Sequence, residues 1–175
     1  MSSVGISVTG VTVDVNNGVG RIDWGRNSNW GQYYGNPNTY SYPIEPLVMK
    51  QYIQIKPRPD LLEGCFQTTY GLMHFFIQGD DVFATFDYYG RNQFMGKLIN
   101  NLIIGVWVRP AKNNKPLKSG PLQLVFSQDW TSFKGVWGNK GEVPLSKMWN
   151  GTKIPCPPKG AKGRSVLRPG GPGVP

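Results

Sequence analysis

"LEGCFQTTYGLMHFFIQGDDVFATFDYYGRNQFMGKLINNLIIGVW", residues 62–107, determines the fold class that this chain is expected to adopt. Runs rich in aromatic and β-branched residues alternate there with Gly, Asp and Asn, and the runs recur roughly every 10 residues. This spacing is typical of consecutive antiparallel hairpins. We therefore predict an all-β chain whose main unit is an antiparallel meander.

The same rhythm continues to residue 154. The predicted strands are centred near Phe66, Phe75, Phe83, Met95, Val106, Val125, Gly135 and Trp149. The polar, basic stretch 111–121 interrupts them and is predicted to be a long exposed loop. No run has helical periodicity, so we expect under about a tenth of the chain to be helical.

A glycine precedes an aromatic residue by two positions in several of these runs: Gly64-Cys-Phe66, Gly105-Val-Trp107 and Gly135-Val-Trp137. Glycine inside a strand marks a bend or a place where a ring lies over the backbone. The pattern predicts a small barrel or strongly curved sheet, with Phe66, Trp107 and Trp137 in its core.

The span from Leu62 to Ile154 contains "LEGCFQTTYGLMHF", "FMGKLINNLIIGVW", "LQLVFSQDWTSFKGVWG" and "WNGTKI". It resembles the Gly- and Trp-punctuated β-meander repeats of uncharacterised microbial proteins and, more distantly, the avidin-type barrel. The resemblance implies a meander topology only. It implies no function, because the ligand-binding positions of avidin do not align here residue by residue.

The 175 residues fit one domain with appendages, and 23 Gly and 15 Pro favour turns and extended arms over helices. Residues 1–60 are predicted to form a β-hairpin layer over 3–24, an aromatic segment and a strand over Leu47–Lys56. Residues 61–154 form the β-meander or barrel domain, and residues 155–175 form a basic, extended tail.

The aromatic segment is the first candidate binding region. Its candidate partner-binding residues are Trp24, Trp30, Tyr33, Tyr34, Tyr40 and Tyr42. The rings could cover an open end of the β unit, anchor a protein partner or stack on a sugar. Only Arg21 and Arg26 supply positive charge nearby, which disfavours nucleic acid without excluding it.

The tail is the second candidate binding region. Residues 153–175 hold five basic residues and no acid, in a chain with 19 basic and 10 acidic residues and a net charge of +9. The candidate contact residues are Lys159, Lys162, Arg164, Val166, Leu167 and Arg168. Such a strap favours an acidic or phosphate-bearing neighbour.

Residues with catalytic chemistry are sparse. His74, the only histidine, has apolar neighbours, and it and two distant cysteines do not predict a zinc site. Cys65 and Cys156 could form a disulfide, but we expect free thiols because no signal peptide is visible. No stretch has the length and hydropathy of a membrane span. We predict no catalytic residue, metal or cofactor, and the sequence assigns no compartment.

These features favour a non-enzymatic structural or accessory subunit of a larger assembly, whose protein neighbours are either further copies of the chain or other proteins. The alternative is a lectin-like carbohydrate-binding module that uses the Trp, Tyr and Asn residues of the aromatic segment. A third hypothesis is an enzyme with a small polar site at the mouth of the barrel.

Overall fold

The structure is a computed structural model that describes residues 7–8, 11–14, 18–23, 39–79, 81–112, 114–142 and 144–158. The described N-terminal strands form one antiparallel sheet in chain order. They are β1 (Ser7–Val8), β2 (Val11–Asp14), β3 (Val19–Asp23) and β4 (Thr39–Pro43). The pairing of β2 with β3 confirms the strands of the predicted hairpin within the part described.

A closed antiparallel barrel follows. Its eight described strands are β5 (Gly64–Thr68), β6 (Gly71–Gln78), β7 (Asp81–Asp87), β8 (Arg91–Ile99), β9 (Leu102–Arg109), β10 (Lys118–Phe126), β11 (Ser132–Trp137) and β13 (Gly151–Ile154). Each pairs with its neighbour in sequence, β13 pairs with β5, and the pairing of β10 with β11 completes the ring. The short β12 (Lys147–Met148) lies outside it against β11. The all-β prediction and the antiparallel meander are therefore confirmed.

Two details differ from the sequence prediction. The exposed loop is shorter than expected, because β10 already begins at Lys118 and pairs with β9. The predicted strand over Leu47–Lys56 is wrong. A one-turn helix, α1 (Pro46–Met49), replaces its first half, since Pro46 favours the first helical position and Val48 is buried against the outer face of the barrel.

The barrel interior is aromatic. Phe66 packs edge-on against Phe75 and Phe126, with ring centroids 5.3 and 5.7 Å apart. The predicted packing of rings over glycine also occurs, though with different partners. A Cβ on Gly120 would lie 2.8 Å from the Trp107 indole nitrogen, and one on Gly151 would lie 2.4 Å from the Phe133 ring.

One end of the barrel is closed by the chain that precedes it. The second short helix, α2 (Pro59–Leu62), places the fully buried Leu62 in the barrel core, and Ile55 and Leu61 pack against that core. Lys153 donates from Nζ to the carbonyl oxygens of Leu61 and Glu63. We call this the closed end.

The expectation of free thiols is wrong, because Cys65 and Cys156 form a disulfide with Cα atoms 5.1 Å apart. The pairing of β13 with β5 explains the bond, since it places Ile154 opposite Cys65 and brings Cys156 alongside two residues later. The two cysteines are 91 residues apart in sequence, so the sequence alone did not indicate that they lie close together. Among the described residues, no helix has the length and apolar character needed to cross a bilayer.

Candidate functional site

The other end of the barrel opens into a cavity of about 380 Å³, which we call the mouth. Six aromatic residues form its walls: Tyr70, Phe86, Tyr88, Trp107, Trp137 and Trp149. Three polar or charged residues complete the lining: Asn92, Arg109 and Lys147. The described part of the lining contains no carboxylate.

Strand alternation places these side chains. Successive residues of a strand point to opposite faces, so Ile103, Trp107 and Arg109 share the inward phase of β9. The first two belong to or border the barrel core, whereas Arg109 ends the strand and reaches the mouth. Asn92 occupies the matching place at the start of β8. The mouth is therefore formed by the inward positions at the strand ends.

Tyr70 is the centre of the aromatic wall. Its ring lies edge-on to Tyr88, Trp137 and Trp149, with centroids 5.1, 5.6 and 5.1 Å away. Edge-to-face pairs of this kind stabilise an arrangement by roughly 0.5–1.5 kcal/mol each beyond the area they bury. The wall is consequently a set of mutually supported rings.

All three indole N–H groups of the mouth bond within the protein. Trp107 donates to the Gly138 carbonyl oxygen at 2.9 Å, and Trp137 donates to the Tyr70 hydroxyl at 3.1 Å. Trp149 donates to the Thr68 hydroxyl at 3.1 Å. These bonds fix the ring orientations, so the tryptophans offer their faces rather than their donors to the cavity.

Positive charge lies at the rim. Lys147 places Nζ 5.0 Å from the centroid of the Trp137 ring and 3.4 Å from Glu142 Oε1. Arg109 is exposed and forms no ion pair within the described part of the chain. The mouth thus combines an apolar aromatic floor with two cations at its edge.

Asn92 and Tyr88 shape the turn between β7 and β8 at the rim. The buried Asn92 amide donates to the carbonyl oxygens of Tyr88 and Gly90 at 3.0 and 3.1 Å. Partial burial raises the pKa of Tyr88, as do Tyr89 and Tyr70, while Arg109 opposes them. The Tyr88 phenol is therefore neutral at physiological pH and serves as a hydroxyl.

A second group lies on the outer face near the closed end. Cys65 pairs with His74 across β5 and β6, and the possible ligand atoms of Cys65, His74 and Cys156 lie within 4.8 Å of one another. The His74 ring stacks on Phe76 with centroids 4.2 Å apart. Burial lowers the pKa of His74, against an opposing effect of Glu63. Sequence analysis predicted no zinc site because the two cysteines are distant from His74 in sequence. The fold brings the three residues together.

Most of the predicted contact residues lie outside the described residues. These are Trp24, Trp30, Tyr33, Tyr34, Lys159, Lys162, Arg164, Val166, Leu167 and Arg168. The backbone of Tyr40 and Tyr42 belongs to β4, opposite Ile22 and Gly20 of β3. The partner-binding roles of all twelve residues remain predictions.

Trp107 is buried as predicted, whereas Trp137 is half-buried and lines the mouth instead of lying in the core. One sequence-based hypothesis placed a small polar site at the mouth of the barrel, but none of the residues that line the mouth was predicted as a site residue. One pattern points to it: Asn92 and Arg109 are polar residues in the otherwise apolar inward phase of their strands. Ligand pockets that combine an apolar lining with a few polar groups often occur in the mouths of β-barrels.

Comparisons with protein-family models, with curated proteins and with solved structures gave no match to this chain. The observed barrel fits the meander topology that the resemblance implied, and the function must be argued from the geometry of the mouth.

Proposed function

We propose that this chain is a non-enzymatic binding protein whose barrel mouth holds a small molecule with a flat apolar body and an anionic group. The observation that carries the proposal is the mouth itself, a cavity of about 380 Å³ with aromatic walls and two cations at the rim. A cavity of this size is within the range of small-molecule sites.

The walls select the body of the ligand. Because the three indole N–H groups are already bonded to the protein, the tryptophans present apolar faces that favour a flat ring. The network of bonds also holds the rings in place before a ligand arrives. Binding then costs little side-chain ordering, which favours affinity.

The rim selects the charge. Arg109 offers a planar group of N–H donors that matches a carboxylate or phosphate. Lys147 adds a second positive charge beside Trp137. Glu142 offsets the charge of Lys147, whereas Arg109 has no ion pair among the described residues, so the lining is net positive. It would repel a cationic ligand and attract an anionic one.

The test uses three probes that share one ring system and differ in charge: 2-naphthoate, 2-naphthamide and 2-naphthylmethylamine. Their binding to the full chain is followed by calorimetry and by the fluorescence of the mouth tryptophans. We expect naphthoate to bind roughly tenfold more tightly than naphthamide, since a hydrogen bond to a charged group is worth about 1.5–3 kcal/mol. The amine should bind most weakly.

Charge-neutralising variants assign the effect to the rim. In Arg109→Gln combined with Lys147→Gln, naphthoate should bind no better than naphthamide, while naphthamide binding is retained. The matched control is Arg91→Gln, which removes an exposed cation that pairs with Asp87 in the outward phase of β8. This control should keep the preference for the anion.

Equal affinity for the three probes, or binding of none of them, would refute the proposal. A methyl hexoside serves as a fourth probe. Binding of the hexoside in the absence of any charge preference would instead support the carbohydrate-binding alternative.

The assembly role predicted from the sequence is a second proposal, and one structural observation favours it. The disulfide at Cys156 fixes the start of the tail on β5, on the outer face near the closed end. Cys156, at the described start of the tail, therefore lies away from the mouth. A neighbour bound next to this start would leave the mouth accessible.

Deletion of residues 159–175 tests this role because it removes the candidate tail contacts and keeps Cys156. We expect the shortened chain to melt within a few degrees of the parent and to lose co-purifying partners in a salt-dependent manner. Probe binding at the mouth should persist. Retention of every partner by the shortened chain would contradict the proposal.

A further inference from the structure

Cys65, His74 and Cys156 form a group on the outer face of the barrel that is separate from the mouth. Its possible ligand atoms, two sulfurs and one imidazole nitrogen, all lie within 4.8 Å of one another. They come from three different segments: strand β5, strand β6 and the extended chain after β13. Two of these donors are the bonded sulfurs of the disulfide, and the imidazole of His74 places a nitrogen donor beside them.

The fold fixes two of the donors. Cys65 and His74 are directly opposite each other in antiparallel strands, where Cβ atoms are about 4.5–5.5 Å apart. Stacking on Phe76 limits the rotation of the imidazole. Within the described part of the chain, no hydrogen bond occupies the imidazole nitrogens, so a lone pair is available.

The third donor can adjust. Cys156 lies in an exposed stretch without secondary structure beyond the last strand, free of ladder hydrogen bonds. Zinc binds thiolate sulfur at about 2.3 Å and imidazole nitrogen at about 2.0 Å, which places tetrahedral donors within about 4 Å of each other. Donors already within 4.8 Å need only a small movement to reach this geometry.

We propose that reduction of the Cys65–Cys156 disulfide converts this group into a zinc site with two thiolate ligands and one imidazole ligand. A small-molecule dithiol supplies the two electrons and two protons and is itself oxidised to a disulfide, which leaves two protein thiols. Zinc binding then releases both thiol protons and forms two Zn–S bonds and one Zn–N bond, with water in the fourth position. The disulfide and the metal are alternative links between the start of the tail and the barrel.

The experiment compares the full chain in its oxidised form with the same chain after treatment with a phosphine reductant that does not bind zinc strongly. Zinc affinity is measured by competition with a chromophoric indicator. We expect one zinc ion per reduced chain and none per oxidised chain. Cobalt in place of zinc should give thiolate-to-metal charge-transfer absorption and the visible bands typical of tetrahedral coordination.

Variants separate ligation from packing. His74→Gln should weaken zinc binding by the reduced chain by more than about tenfold, because even an outer partner of a metal ligand is worth this much. Cys65→Ser should abolish the cobalt charge-transfer band of two thiolates. The control Thr85→Ala alters the residue opposite His74 in β7 and should bind zinc like the parent.

Folding is monitored in two ways, so that loss of the barrel is not mistaken for loss of a ligand. Oxidised His74→Gln retains the disulfide and should melt like the oxidised parent. In the reduced parent, zinc should raise the melting temperature, since a ligand that binds only the folded state stabilises it. This rise should be absent in reduced His74→Gln.

Three results would overturn the proposal. The first is zinc binding by the reduced parent that is no tighter than by the oxidised parent. The second is unchanged affinity in His74→Gln. The third is a reduced chain that loses the near-ultraviolet signal of its tryptophans and does not recover it with zinc.

Discussion

The two ends of the barrel are formed by the same strands, but one end is filled by buried side chains and the other opens into a cavity. At the closed end, the chain before β5 folds back and buries Leu62 inside the ring of strands. At the mouth, the aromatic residues face a cavity and two cations stand at its edge. The inward phase of a strand therefore gives core at one end and a binding surface at the other.

Two lysines make the contrast concrete. Lys153 lies in β13 at the closed end and donates to two main-chain carbonyls. Lys147 lies in β12 at the mouth, over the Trp137 ring and beside Glu142. The residue type is the same, but one ammonium group binds the backbone and the other lies at the edge of the cavity, paired with a side chain.

The largest expected difference between the two ends concerns aromatic truncation. Phe66→Ala removes a fully buried ring and should lower the free energy of unfolding by about 3–5 kcal/mol. Tyr88→Ala at the mouth removes a partly exposed ring and should cost about 1 kcal/mol from lost ring contacts. Urea denaturation of both variants measures the difference.

Equal losses in these two variants would show that the mouth is as much a part of the core as the closed end. Phe66→Leu is the control for a change of shape with less loss of volume, and it should fall between the parent and Phe66→Ala.

Much of this architecture follows from local pattern. Turn residues near Gly71, Gly79 and Gly90 fix the hairpins, and each has a left-handed backbone in the structure. The predicted strand centres accordingly fall on the observed strands or, for Trp149, between β12 and β13. Short-range chemistry determines these features, so sequence reasoning can recover them.

The candidate sites depend on contacts that the local pattern does not contain. The mouth requires β13 to pair with both β11 and β5, which brings Trp137 near Tyr70 across 67 residues of chain. The disulfide requires the pairing of β13 with β5. The strand predicted over Leu47–Lys56 failed because its alternation is also satisfied by one helical turn followed by an irregular segment held by Asn100 and Asn101.

A smaller effect is expected from the two lysines. Lys153→Met leaves the carbonyl oxygens of Leu61 and Glu63 without their donor and should cost about 1–3 kcal/mol. Lys147→Met loses an exposed ion pair and the contact with the Trp137 ring and should lower the free energy of unfolding by less than about 1 kcal/mol. The same variant should weaken naphthoate binding at the mouth.

Thermal melting and probe titration of both variants provide the test. If Lys147→Met destabilised the fold as much as Lys153→Met does, the mouth lysine would have a structural role and the contrast between the ends would fail.

The smallest effect is a pH dependence of stability that is strongest at the closed end. Burial raises the pKa of Tyr52 from its ordinary value of 10.0 to about 12. Its hydroxyl donates to Asn100 Oδ1 at 2.7 Å, and the amide of the same asparagine donates to the Ile55 carbonyl oxygen at 2.9 Å. Ionisation of Tyr52 would remove the hydrogen-bond donor that helps Asn100 to hold the chain before β5, which closes this end of the barrel.

The sign of the dependence follows from the direction of the shift. Because the pKa in the folded state lies above that in the unfolded state, the contribution of Tyr52 is fully present below pH 10 and is lost as the pH rises from about 10 to about 12. Tyr52→Phe should therefore flatten the alkaline decline in the urea midpoint over this interval. Tyr88→Phe is the comparison at the mouth, where the phenol pKa is also raised, chiefly by burial. It should flatten the decline less than Tyr52→Phe does, because no part of the closed end depends on its hydroxyl. A Tyr52→Phe variant that retained the full alkaline decline of the parent would show that the closed end is not held through this hydroxyl.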